Sequence, residues 1–189
     1  MNEATKILRS EHEVILRVLD ATEKIATPME NGADAPPEIL TATVEFFKLY
    51  ADRQHHGKEE DLLFPELAKK GMPSNGGPVA VMLMEHQIGR SHIARMTQAA
   101  EAYKNGDQSA AAEWAEAALD YVALLREHIA KENNILFVMA ERILSPADQQ
   151  RLASEFDGVD KNKMGDGEGE RLLRLADRLT AEVSQAVSS

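Results

Sequence analysis

The sequence predicts an all-α protein: an up-down-up-down four-helix bundle with one or two additional helices at the C-terminal end. Three observations predict it. Apolar residues recur in alternating steps of three and four along four separate stretches, which is the spacing of one helix face. Alanine is abundant, while proline and phenylalanine number only seven and five, a composition that favours helix. Four stretches of similar length joined by modest loops pack most economically as antiparallel neighbours.

The first stretch runs from about Glu3 to Ala26, with Leu8, His12, Ile15, Leu19 and Thr22 on one stripe. Thr27-Pro28 through Ala35-Pro36-Pro37 contains Asn31-Gly32 and reads as a loop. The second helix spans about Glu38 to Lys70. Val44, Phe47, Ala51, His55 and Glu59 share its inner face, and Pro65 should kink it or end its first part. Gly71-Met72-Pro73-Ser74-Asn75-Gly76-Gly77 breaks the chain, and Pro78 suits the first turn of a third helix. That helix carries Val79, Met82, His86, Gly89, Ile93, Met96, Ala100 and Tyr103, and Asn105-Gly106 stops it. The fourth carries Trp114, Ala118, Tyr121, Leu125, His128, Glu132, Ile135 and Met139, and Ser145-Pro146 ends it.

Residues 1–145 are read as the bundle, and 146–189 as an extension that packs back on it or makes a subunit contact. Pro146 to Phe156 reads as a short helix and Asp157 to Gly169 as a charged, glycine-rich loop. Leu172, Leu175, Ala176, Leu179 and Val183 form one face of a last helix. Residues 160–165 superficially resemble the start of a calcium loop. Met164 and Arg171 stand where oxygen ligands are needed, so the segment is read as loop.

The formal net charge is -11. A chain this acidic repels nucleic acid and anionic membrane, so neither is an expected partner. It has no cysteine, which excludes disulfides, thiolate metal sites, iron–sulfur clusters and cysteine nucleophiles. Any metal must be held by nitrogen and oxygen. No stretch approaches the roughly 20 apolar residues of a membrane span. No apolar run follows a basic head at the N-terminus, and a cytoplasmic protein is the default expectation.

One arrangement occurs twice. Glu11-His12 is followed, 43 positions after the histidine, by His55-His56-Gly57-Lys58-Glu59, with Leu63-Phe64 close behind. Glu85-His86 is followed, 42 positions after the histidine, by His128-Ile129-Ala130-Lys131-Glu132, with Leu136-Phe137 at the same offset. Residues i and i+4 are neighbours on a helix face, so each His-x-x-x-Glu can serve one centre. Unpartnered carboxylates facing a core are expensive, and a pair of metal ions would compensate them together with the imidazoles. The candidate ligands are therefore His12, His55, Glu59, His86, His128 and Glu132.

His56 and Glu60 form a competing pair. A one-residue step turns a side chain by roughly 100° on an α-helix, so only one register is expected to serve. The Leu-Phe alignment selects His55 and Glu59. His56 is then expected at the rim or as a donor to a ligand, and His92 at the surface. Glu11, Glu85 and Glu127 are read as solvated charges in preference to groups that orient a neighbouring imidazole. Tyr121 is read as core with its hydroxyl satisfied, and Arg90 as lying near the pocket mouth.

Imidazole with carboxylate suits iron or manganese, whereas zinc is usually four-coordinate and often keeps thiolate ligands. If Glu59 and Glu132 each bridged, each ion would receive two histidines and two carboxylate oxygens. One or two of about six positions would remain for a bridging oxygen and an outside ligand. His12, His55-x-x-x-Glu59, His86 and His128-x-x-x-Glu132 resemble the hemerythrin-like, His-His-Glu cation-binding family over about residues 5–145, and most closely its bacterial four-His, two-Glu branch. The resemblance implies two iron ions with bridging oxo or hydroxo and carboxylate groups in a left-handed bundle, with manganese or zinc as substitutes. Oxygen carriers of the family have a further histidine where this chain has Arg90, and an aspartate where it has Asn133. Those departures point away from reversible O2 carriage and toward the iron-centre repair and nitric oxide stress branch. The function implied is binding of O2, NO or peroxide for sensing, detoxification or stress protection. The alternatives are a di-iron peroxidase, oxidase or NO reductase, and an iron storage or delivery protein. A ferritin-like oxidase is disfavoured, because no histidine has Glu three places before it.

Overall fold

Three- and four-residue apolar steps wind each of the four stretches into a rod. The computed structural model describes residues 2–160 and 165–186, with side chains as far as 182, and no strand occurs among them. Residues 161–164 of the calcium-like segment and the Val183 side chain lie outside the described residues.

The first rod, α1 (Glu3–Glu30), runs past the expected stop at Ala26 and takes Pro28 into its last turn. Only one helical hydrogen bond is lost there. Asn31 and Gly32 then close the end by donating to the Pro28 and Met29 carbonyls, with Gly32 at φ 88°.

The second rod departs most from regular winding. It begins as α2 (Pro37–Phe46), widens to π-helix over Phe47–His56 and again over Glu59–Leu63, and ends as α3 (Phe64–Lys69). Pro65 has no N–H to offer the turn before it, and the chain is wide just ahead of it. The third rod, α4 (Gly77–Lys104), is regular, and Gly106 ends it at φ 100°. The fourth is α5 (Ala110–Lys131), a π-wound turn at Glu132–Leu136, and α6 (Phe137–Ile143). That wide turn alters the expected facing: Ile135 is 51% exposed, and Leu136 is buried in its place.

The extension forms α7 (Pro146–Val159) and α8 (Glu168–Ala186). Ser145 caps α7: its hydroxyl accepts from the Asp148 amide, and the Asp148 carboxylate accepts from the Ser145 amide. Both helices pack on α1. Leu172, Leu175 and Leu179 join one apolar cluster with Ile15, Phe47 and Trp114. Leu152 and Phe156 join a second with Leu8, Leu63 and Phe137. In each rod the metal-ligand candidates fall between a member of one cluster and a member of the other, so a polar layer crosses the core. No helix among the described residues is long and apolar enough to cross a membrane.

Candidate metal centre

Five imidazoles and two carboxylates meet in that layer. His12, His55, His56, Glu59, His86, His128 and Glu132 are each at most 3% exposed. They form two groups, within each of which the potential ligand atoms lie within 4.8 Å of one another. One group is His12, His55, Glu59 and Glu132, and the other is His56, His86, His128 and Glu59. Glu59 belongs to both. Its Oε1 lies 3.8 Å from His55 Nε2 and its Oε2 3.5 Å from His86 Nε2. Glu132 Oε2 lies 3.2 Å from His12 Nε2 and 3.4 Å from His128 Nε2. All six residues singled out by the repeat are thus brought together.

The seventh, His56, corrects the expectation of a rim residue. One register excludes the other only where the winding is α-helical. His56 ends a π-wound segment, where each turn takes in an extra residue and successive side chains diverge less. His55 and His56 both point inward, one to each group. The second repeat has Ile129 at the matching position, so the two groups differ in composition.

Each imidazole turns Nε2 toward the centre and anchors Nδ1 outside it. His55 Nδ1 donates to Glu11 at 2.8 Å and His128 Nδ1 to Glu85 at 2.9 Å. His86 Nδ1 donates to Glu60 at 2.6 Å, His12 Nδ1 to Asn133 Oδ1 at 3.0 Å, and His56 Nδ1 to Asp52 at 3.3 Å. Such partners fix the tautomer and aim the free nitrogen. Glu11 and Glu85 are therefore not solvated charges; both are buried. The lysine of each repeat explains why that is tolerable: Lys58 donates to Glu11, and Lys131 to Glu85. The signal was present in the sequence as a five-part repeat, Glu-His followed by His-x-x-Lys-Glu. Glu127 is exposed, as expected. The repeated phenylalanines also have a task. Phe137 stacks on His12, with ring centroids 5.4 Å apart, and Phe64 stacks on His86 at 5.9 Å. Each repeat thus floors the lone histidine of the other.

Lys58 is almost wholly buried and holds a second carboxylate, Asp160 at the end of α7, at 2.9 Å. Burial opposes its charge, but Glu11 and Asp160 more than restore it. Removing one partner of a buried pair strands the other. Lys58→Met is therefore expected to destabilise the metal-free protein by about 3–5 kcal/mol. Lys131→Met should cost distinctly less, because water reaches that side chain (36% exposed). Urea unfolding of the two variants checks the order.

Whether the site suits cations is decided by what is left unsatisfied. Both oxygens of Glu59, both of Glu132, and the Nε2 atoms of His12 and His55 are buried without a hydrogen-bond partner. Unmet polar atoms this concentrated are uncommon in a folded core, and all of them face the same interior. They are electron-pair donors of the type that binds a hard or borderline cation. Burial holds His55 and His56 well below the ordinary imidazole pKa, and burial with the neighbouring His86 lowers His128 to about 4, so all three offer free electron pairs at neutral pH. For His86, burial also works downward, but the facing Glu59 carboxylate and the hydrogen-bonded Glu60 carry its pKa up to about 9.

Over the His56–His86 side lies a polar cap. Arg90 donates to Asp52 and to Glu60, each at 2.8 Å, and these are the carboxylates that anchor the two imidazoles. Surface hollows of about 360 and 250 Å3 meet at Lys48, Asp52 and Arg90. His92 is half-buried and takes no part in either group. Tyr121 is core, but its hydroxyl has no protein partner.

Comparison with known proteins places the chain. The family model described as hemerythrin HHE cation binding domain matches residues 3–140. Among curated proteins, the uncharacterized protein Rv1995 of Mycobacterium tuberculosis is 23% identical over 163 residues, covering 86% of this chain. The uncharacterized protein Mb2018 of Mycobacterium bovis matches to the same extent. This chain spans 63% of the length of these relatives.

Proposed function

We propose that this chain, which belongs to the hemerythrin HHE cation-binding family, holds two iron ions and binds O2, NO or peroxide at that pair for sensing, detoxification or protection against oxidative or nitrosative stress. The observation that carries this reading is the cluster of orphaned donor atoms at the centre of the bundle. His12, His55, Glu59 and Glu132 would hold one ion, and His56, His86, His128 and Glu59 the other. Iron, when bound, would supply redox chemistry and affinity for a small oxygen or nitrogen ligand. Four protein donors against about six octahedral positions leave room at each ion. The apolar clusters above and below exclude bulk water. Arg90, Asp52 and Glu60 close the side from which a small molecule enters, and Arg90 stays charged at any relevant pH.

Two measurements test the reading. Protein purified from iron-rich cells is expected to carry close to two irons per chain, with near-ultraviolet absorption from iron–ligand bands. Anaerobic addition of NO or O2 to the reduced, fully iron-loaded protein should change that spectrum. No response to either gas removes the small-ligand reading, and failure to retain iron removes the metal reading.

Metal uptake should also release protons. At pH 7 the raised pKa of His86, about 9, leaves it protonated in the metal-free protein, and a ligand nitrogen must lose its proton. Loading is expected to release at least one proton per chain, and apparent affinity should climb with pH up to about 9. Calorimetric titrations in buffers of different ionisation enthalpy read the release. In the metal-free protein the sign is opposite. A raised pKa stabilises the fold fully below the ordinary value of 6.5 and progressively less as pH climbs through about 9.

A further inference from the structure

The two halves of the bundle share one plan, but among the described residues only one of them is covered. Counting from His12 and Glu59, the outer face of the first repeat presents Ala4, Ile7, Leu8, Lys58, Leu62 and Leu63. Helix α7 lies across that face. Its Leu152 and Phe156 enter the apolar cluster that contains Ala4, Leu8 and Leu63, and Ile7 and Leu62 pack against it. One turn further on, Asp160 completes the pairing of Lys58. Counting from His86 and Glu132, the matching residues of the second repeat are Pro78, Val81, Met82, Lys131, Ile135 and Leu136. These six line an apolar hollow of about 250 Å3. Val81 is 38% exposed and Ile135 51%, and along α4 the apolar surface continues through Met84 and Ile88 at 57% and 41%. A contiguous apolar patch of this kind marks an interaction site.

We propose that this face docks an amphipathic, acidic helix of a partner protein, seated on the second repeat as α7 is seated on the first. The occupant is specified by what already covers the equivalent surface. Leu152, Phe156 and Asp160 are spaced four apart and share one helix face. A partner helix of the form Leu-x-x-x-Phe-x-x-x-Asp would place two large apolar side chains over Val81 and Ile135 and one carboxylate on Lys131. The charge complementarity is built in: among the described residues Lys131 is held by Glu85 alone and is 36% exposed, whereas its counterpart Lys58 has both Glu11 and Asp160. Glu85 in turn anchors His128, so an occupant touching Lys131 would lie one residue away from a group that orients a proposed ligand. The docking surface itself stands on the geometry of the two repeats and does not depend on which ion the centre holds.

The test uses full-length protein and a fluorescein-labelled peptide with the sequence of residues 146–160, read by fluorescence anisotropy. The expected result is saturable binding of modest strength, on the order of 10–100 µM. Ile135→Glu, on an exposed side chain, should weaken it at least tenfold, Lys131→Met about threefold, and a peptide with Phe156→Ala should not bind. Absence of binding to the unaltered protein overturns the proposal. So does binding that Ile135→Glu leaves unchanged, since the peptide would then sit elsewhere, for example in place of α7. Sedimentation supplies a further arm: a dimer of the unaltered chain that Ile135→Glu dissociates would assign the face to a second copy and overturn the partner-helix reading.

Discussion

Replacing Glu59 by alanine is expected to abolish binding of both metal ions at once. It is the residue common to the two donor groups, with one oxygen toward His55 and the other toward His86. Glu132 also reaches a histidine of each group, at 3.2 and 3.4 Å, whereas a substitution of any one histidine should injure one position more than its neighbour. The stability signature should be as sharp. A ligand present at about 100 times its dissociation constant stabilises the folded state by roughly 2.7 kcal/mol per site. Two ions would then contribute about 5 kcal/mol, or a rise in Tm of roughly 10–20 °C for a chain of this size. Glu59→Ala should erase that rise. The metal-free variant should still fold, because losing the ion pair with His86 is offset by removing a buried carboxylate that has no hydrogen-bond partner. Thermal melts of both proteins, with and without ferrous or manganous ion, separate the outcomes. A variant that keeps the metal-dependent rise would show that Glu59 is not a shared ligand. A metal-free variant that fails to fold would show that the carboxylate is structural.

The fold was legible because its signal is repeated and long-range. The stripe Leu8, His12, Ile15, Leu19 is buried along its whole length, and the glycine at Asn105-Gly106 ends its helix as left-handed geometry requires. Local departures were harder to read. Pro28 looked like a stop, yet a proline in a last turn gives up only one bond. The same principle limited the reading of the site. The repeat named six residues that the structure brings together, since a frame of identical offsets constrains all of them jointly. Glu11 and Glu85 read as solvated charges because acidic residues are rarely buried. That prior fails when a lysine at a fixed offset accompanies each one. Ile135 and His56 were assigned to the wrong side for one shared reason. Three π-wound segments lie in the ligand-bearing rods, at Phe47–His56, Glu59–Leu63 and Glu132–Leu136. A 3.6-residue period does not extend across them. Wide turns of this kind concentrate at functional sites, and here two of them begin at the glutamates nominated as ligands.

His56 gives the most direct test of that winding. If the wide turn delivers adjacent histidines to different ions, His56→Ala should halve the iron content and leave the other half bound. Its group would fall from three imidazoles and a carboxylate to two imidazoles and a carboxylate, while His12, His55, Glu59 and Glu132 stay intact. The ring also stacks on His86, with centroids 3.8 Å apart, so the loss loosens a second ligand of the same group. His55→Ala should deplete the other ion, and because His55 and Lys58 both donate to Glu11, it should in addition unsettle the Lys58 pairing. His92→Ala, outside both groups, serves as the reference for substitution without metal loss. Iron content by elemental analysis, with one ion retained in each ligand variant, is the expected outcome. Full retention of two ions by His56→Ala would return His56 to the outside of the site. It would mean that the fifth imidazole, though enclosed with the rest, only packs against His86.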